Sequence, residues 1–452
     1  MPFIPHTRDD IKNMLDAIGV KEIDDLFDEI PKELIISELK NVPTQMNEMQ
    51  VSRFIKEKSR INHSLKCFAG AGAYEHHIPS AIWQLATRGE FYTAYTPYQA
   101  EVSQGSLQVI YEYQSMMAKL TGMEVSNASM YDGASALAEA ALMAVRANRK
   151  SKSKTILVPR TLNPIYRDVL HNIVHNQNIS IKDVDFDQKT GKISRQLLDP
   201  YQEEDITALI IPQPNYFGVF EDVDELTNWA HAKNTFAIAV VNPTSLALLK
   251  APGQWGEKGV DICVGEGQPL GVPLSSGGPY FGFMTTRQKY IRNMPGRIVG
   301  QTTDLDDNIG YTLAFQAREQ HIRRAKATSN ICTNQGLMVT GATIYMALLG
   351  EKGLQQVATA CMQNCNYLKQ KLQAAGIEIV FDSPNFHEIV IKTQKDCQQI
   401  IDEMAQDDYI AGVNLTEHYP SLGNVLSICV TETKTQADID DYVQKLVAIS
   451  QS

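Results

Sequence analysis

The 452 residues are 43% hydrophobic and 21% charged, which excludes a disordered or fibrous chain, and the length is too great for one ordinary core. A formal charge of −11 argues against a nucleic-acid or anionic-membrane partner, either of which needs a basic face. Seven cysteines, an odd number without a CxxC pair, suit free thiols in a reducing cytoplasm, the expected location.

The start, MPFIPHTRDD, lacks a basic run followed by an apolar stretch, so no signal peptide is expected. No run reaches the ~18–20 apolar residues of a membrane helix. Residues 1–62 read as a helical arm. Thr7 and Asp10 frame a capping-box-like start; Ile11, Met14, Leu15 and Ile18 recur at helical spacing, and Gly19 ends the helix. A second helix is expected over 22–30, ended by Pro31, and a third over 47–61. Residues 63–105 are irregular and rich in glycine, proline, histidine and tyrosine. Their length and aromatic content point to a functional segment rather than to disorder.

From 104 the pattern alternates: helices over 105–121 and 134–149, a strand over 155–158, a helix over 163–176, strands over 179–184 and 207–211, a helix over 222–233 and a strand over 236–241. TALII at 207–211 is a continuous apolar run, as a strand covered on both faces requires. This rhythm predicts a mainly parallel sheet with helices on both sides. Helical text returns from about 335, and IEIVF, HEIVIK, a helix over 394–406 and NVLSICV predict a small α+β unit with an antiparallel sheet. The expected division is an arm at 1–62, a large α/β domain at 63–344 and a small domain at 345–452. Cys361 and Cys365, one helical turn apart, read as core packing, and no metal site is expected.

Dinucleotide chemistry finds no support. GAGAYE at 70–75 lacks the third glycine and the preceding strand, and no HExxH, P-loop or GxSxG occurs. Gly133, Ala134 and Ser135 open a helix, and two readings stay open. The turn either cups a phosphate or is an ordinary start capped by Asp132 or Ser135.

Seven phrases carry a resemblance: YTPYQAEVSQGSLQVIYEYQ, NASMYDGASALAEA, QPNYFGVFED, NPTSLALL, GEGQPLGVPLSSGGPYFGF, MPGRIVG and REQHIRRAKATSNICTNQ, spread from 95 to 335. The chain resembles the P-protein of the glycine cleavage system, in the form divided between two subunits, and within it the half equivalent to the N-terminal part of the fused enzyme. The resemblance implies an aspartate-aminotransferase-like large domain of the fold-type I pyridoxal enzymes. Such a domain needs a lysine to tether pyridoxal phosphate and a carboxylate beside the pyridine nitrogen. Set against the catalytic subunit's phrase, Pro269 stands at the lysine position and Asn242 at the carboxylate position, and no lysine occurs between Lys258 and Lys289. No catalytic group of its own is therefore expected.

The implied role is completion of an active centre on subunit 2, which would carry the pyridoxal phosphate. The assembled enzyme would decarboxylate glycine and pass the aminomethyl group to the lipoyl arm of the H-protein. Candidates for donation to the partner's pocket or for the interface are Tyr92, Tyr95, Tyr98, Gln104, His76 and His77, phenols and imidazoles able to bond or flank a coenzyme. Arg318, His321, Arg323, Arg324 and Lys326 form a cationic cluster suited to an acidic carrier or another anion. Two alternatives remain: a self-sufficient pyridoxal enzyme using Lys250 or Lys289, and a purely structural partner.

Overall fold

The computed structural model describes residues 6–36, 39–62, 64–93 and 95–451. Residue contacts divide the chain into units of 1–64 and 65–452.

In the first unit, helix Arg8–Ile18 opens with a capping box in which Asp10 N donates to Thr7 Oγ1 at 3.2 Å and Thr7 N donates to the Asp10 carboxylate at 2.7 Å. Gly19, at φ +89°, ends it. The helix expected over 22–30 is only a 3₁₀ segment, Ile23–Phe27. Asp25 accepts from Lys21 N and Glu22 N, and Pro31 follows before a second α-turn is complete. Asn47 and Gln50 box the start of helix Glu48–Ser59. None of these helices buries a residue, and Ile18, Leu34, Phe54 and Ile55 stand exposed.

The second unit is built on a seven-stranded sheet in the order Val125–Ser126, Gly282–Thr286, Ile262–Glu266, Phe236–Val241, Ala208–Gln213, Thr155–Pro159, Ser180–Val184. The last five are mutually parallel, and Gly282–Thr286 runs against its neighbours. Ala208–Gln213 and Phe236–Val241 are buried at every position, as continuous apolar runs demand when helices cover both faces. Ile262–Glu266 and Gly282–Thr286 escaped the sequence reading because Gly265, Gly282 and a threonine pair interrupt their apolar character. An antiparallel hairpin, Ile298–Thr303 with Ile309–Ala314, also went unpredicted.

The C-terminal part forms a three-stranded antiparallel sheet of Glu388–Lys392, Val425–Cys429 and Val413–Asn414. Helices Cys397–Gln406 and Gln436–Gln451 accompany it. The expected strand IEIVF touches this sheet only through the bridge Ile379↔Ile391. Ile377 N is spent on Leu372 O, closing the preceding helix instead. That helix, Gly336–Ala374, contains position 344/345 and is broken at Gly350, at φ +61°. Cys361 and Cys365 are fully buried on it and pack with core side chains. Among the described residues no helix is long and apolar enough to cross a membrane.

Candidate functional site

Ligands of open α/β sheets bind beyond the carboxyl ends of the strands. Here those ends are Gln213, Val241 and Glu266, and a cleft of about 70 Å³ lies beyond them, lined by Tyr74, Tyr166, Tyr216, Asn242, Glu266 and Pro269 among others. Ordinary ligand clefts hold roughly 300 Å³ or more.

Pro269 is buried at its wall and offers no nucleophile. Asn242 spends its amide locally: Thr244 N donates to Oδ1 at 2.9 Å, and Nδ2 lies 3.2 Å from His387 Nε2. An amide nitrogen only donates, so Nε2 accepts and the His387 proton sits on Nδ1. Burial drives the His387 pKa far below its ordinary value, keeping the ring neutral. Neither alternative lysine reaches this cleft's lining. The Lys250 ammonium is held by Asp224 at 2.8 Å, and Lys289 lies over the Tyr290 ring. Lys289 lines a different cleft, shared with Phe236 at the amino end of its strand.

Helix Gly133–Ala147 starts at the cleft. Of the two readings of its first turn, the ordinary cap is present: Asp132 Oδ1 accepts from Ser135 N at 2.7 Å. Gly133 N donates to Glu266 Oε2 at 2.9 Å. Burial pushes the Glu266 pKa up to about 8, against the pull of main-chain N–H groups.

The irregular segment that follows residue 68 is threaded across this same cleft. Tyr74 N donates to Gln268 Oε1, and Gln268 Nε2 donates to Tyr74 O, both at 2.8 Å. Tyr74 OH and Ala71 N donate to the Glu388 carboxyl at 2.9 and 2.6 Å. Burial lifts the Glu388 pKa to about 7. His76, buried, places Nδ1 at 2.8 Å from Glu432, and Cys361 Sγ donates to the same oxygen at 3.3 Å. The three ligand atoms of His76, Cys361 and Glu432 lie within 4.8 Å of one another, and each has a partner among the other two. His77 is tied to Glu432 through its main-chain N–H at 2.7 Å. The His76 ring is thus engaged within its own chain, whereas His77 is held through its main chain and is exposed.

This corner does not fit pyridoxal phosphate. It lacks the amine and the pyridinium carboxylate, no lysine or arginine lines it, and a carboxyl group holds the Gly133 N–H.

Glu266 and Glu388, with the buried Glu221 at about 7, hold their protons in the folded chain well above the ordinary carboxyl value of 4.5. The native state then binds more protons than the unfolded one through that window. Stability is full below about pH 4.5 on their account and falls as pH rises toward about 8. The melting temperature of the purified chain should decline across this range. Glu388→Gln should flatten the decline; an unchanged slope would contradict the assignment.

The predicted tyrosines lie elsewhere. Tyr92, Tyr95 and Tyr98 are 58%, 82% and 50% exposed. Tyr95 OH is 3.0 Å from Thr333 Oγ1. Tyr98 OH accepts from Arg297 Nη2 at 3.1 Å, its ring lies under the guanidinium at 5.4 Å, and the His321 ring approaches edge-on at 5.2 Å. Gln104 instead pins the hairpin, donating to Tyr311 O and accepting from Tyr311 N. Arg318 turns inward onto the carbonyls of Met294 and Gly296. His321, Arg323, Arg324 and Lys326 remain exposed, with Arg324 at φ +51°.

Arg297, overlooked in the sequence although it lies in MPGRIVG, is the centre of this second cluster. It is 4% exposed and also meets Asn334 Oδ1 at 3.4 Å and Glu319 Oε2 at 3.5 Å. Buried polar atoms without a hydrogen bond occur on the side chains that meet it, at Glu319 Oε1 and Asn334 Nδ2, and on the adjoining segments, at Thr96 Oγ1 and Arg318 Nε. Such atoms are uncommon in a finished interior. Ser129 Oγ and Tyr131 OH accept from Gln335 N and Cys332 N, joining the cluster to the loop that precedes Gly133. Lone arginines give no sequence signal of this kind, since only the fold assembles 96–98, 297, 319–321 and 334.

The family described as "Glycine cleavage system P-protein" matches residues 1–446. A Thioalkalivibrio sulfidiphilus protein named "Probable glycine dehydrogenase (decarboxylating) subunit 1" is 58% identical over 448 residues, covering 99% of each chain. A Nitrosomonas europaea protein of the same name is 57% identical, covering 99% of this chain and 98% of its own. A crystal structure of glycine decarboxylase (P-protein) of the glycine cleavage system, in inhibitor-bound form, superposes with a TM-score of 0.87 at 36% identity, over 99% of this chain and 100% of that one. A Burkholderia pseudomallei sphingosine-1-phosphate lyase, at 14% identity and TM-score 0.67 over 92% of this chain and 93% of that one, shares the fold.

Proposed function

We propose that this chain, which belongs to the glycine cleavage system P-protein family, is the subunit that completes a partner's active centre and runs none of its own. The partner is subunit 2, which holds pyridoxal phosphate. Together they act as glycine dehydrogenase (decarboxylating), releasing CO₂ from glycine and transferring the aminomethyl group to the lipoylated H-protein. The observation that carries this reading is the half-finished polar cluster around Arg297, beside a coenzyme corner that does not fit its coenzyme. Buried donors and acceptors without partners are costly, and assembly with a second subunit would supply the missing half. The division at 1–62, 63–344 and 345–452 belongs to this proposal, the arm serving the interface.

Purified alone, the chain should show no glycine–CO₂ exchange, and mixing with subunit 2 should restore it. In the pair, Tyr95→Phe and Tyr98→Phe should each lower decarboxylation roughly 10-fold while the affinity of the two subunits stays constant. Strong activity of the single chain refutes the assignment, and unchanged rates in both variants favour a purely structural partner.

The exposed His321, Arg323, Arg324 and Lys326 are assigned to docking of an acidic carrier, the H-protein, local cations on a chain of charge −11. The double variant Arg323→Glu, Lys326→Glu should raise the KM for H-protein about 10-fold, with a weaker dependence on salt. A KM unaffected by the reversal places docking elsewhere.

A further inference from the structure

The coenzyme corner lacks an amine, and it also contains something extra. Helix Gly133–Ala147 directs its first N–H groups toward the cleft, and the positive end of a 15-residue helix is a natural seat for an oxyanion. That seat is taken. Glu266, from the end of a strand 133 positions away, accepts from Gly133 N at 2.9 Å with Oε2 and from Gln268 N at 3.1 Å with Oε1. Tyr166 closes over the same turn: a Cβ at position 133 would run into its hydroxyl and come within 2.8 Å of Glu266 N. Asp132 caps the Ser135 amide two residues on, and Glu388 bonds Tyr74 of the cleft wall from behind. An arriving phosphate would meet a filled seat and no cation in the lining.

We propose that Glu266 is a built-in substitute for a bound phosphate. Its carboxyl accepts the Gly133 N–H that an anion would occupy at this helix start, together with the Gln268 N–H beside it, and so holds the corner closed without any coenzyme. The physical need is plain. A Gly133 N–H left unpartnered in a closed cleft loses its hydration and gains nothing in return. The two oxygens accept these bonds whether or not the group is ionised. This inference stands whether or not the chain donates residues to a partner. It also predicts what the missing lysine alone does not: without a tether phosphate could still bind through the turn, and with Glu266 in place it does not.

The full chain as Glu266→Ala and as Glu266→Gln, beside the wild type, is melted with and without ~10 mM inorganic phosphate at matched ionic strength. Glu266→Ala should melt about 5 °C lower than wild type, and phosphate should return at least about half of that loss. Glu266→Gln fills the seat, so it and the wild type should not respond. Phosphorus NMR should show phosphate broadening with Glu266→Ala only. If the alanine variant does not fold, Glu266→Ser takes its place in both measurements. Absence of a phosphate response in the shortened variants, or an equal response in the wild type, overturns the proposal.

Discussion

Replacing Arg297 with alanine should lower glycine decarboxylation by the assembled enzyme about 100-fold, the scale at which loss of one preorganised polar group acts on a rate. The guanidinium organises three segments at once. It donates to Tyr98 OH and Asn334 Oδ1, covers the Tyr98 ring, and faces Glu319, whose own exposure is low. Without it Tyr98 loses both restraints, and Glu319 is left with the Arg318 guanidinium and, at 3.5 Å, the His321 ring as neighbours. Leaving a buried carboxylate without its partner costs about 3 kcal/mol, so the isolated chain should also melt earlier. A second variant separates this loss of stability from loss of function. Arg297→Lys keeps a cation near Glu319 but cannot fork between Tyr98 and Asn334. It should recover most of the melting temperature and little of the rate. Arg297 is assigned as a positioning residue, and recovery of both quantities together by lysine would reduce its role to charge alone.

Deleting residues 1–64 should weaken association with subunit 2 by more than about 100-fold while the remaining unit still folds. The arm has well-formed caps, yet none of its helices buries a single residue. Ile18, Leu26, Phe27, Leu34, Phe54 and Ile55 are all exposed. Exposed apolar side chains in such number are a mark of interaction surfaces, and this one is assigned to subunit 2 as part of the proposed function. Burial of several such side chains at an interface, each contributing roughly 1.5–3 kcal/mol before ordering costs, sets the expected scale. The unit at 65–452 carries its own sheets and core clusters, so it should retain a cooperative melt. Sedimentation of the truncated chain with subunit 2 is the measurement. Undiminished pairing would move the interface off the arm.

Much of this molecule was legible before any coordinates. The alternation of strands and helices from 104 to 241, the buried runs Ala208–Gln213 and Phe236–Val241, and the Thr7–Asp10 cap are local patterns, and local patterns survive in one dimension. Strands Ile262–Glu266 and Gly282–Thr286 were lost because glycine and threonine interrupt runs whose place is set by their neighbours in the sheet.

By itself the sequence determined the chemistry available at two positions: proline at 269 and asparagine at 242 carry no amine and no charge, in any fold. Which groups meet was decided only in three dimensions. Folding brings Glu266 to Gly133, Glu388 to Tyr74 and Arg297 to Tyr98 across separations of 133, 314 and 199 residues. Hydrogen bonds act over about 3 Å and take no notice of distance along the chain, so no spacing rule foretells them.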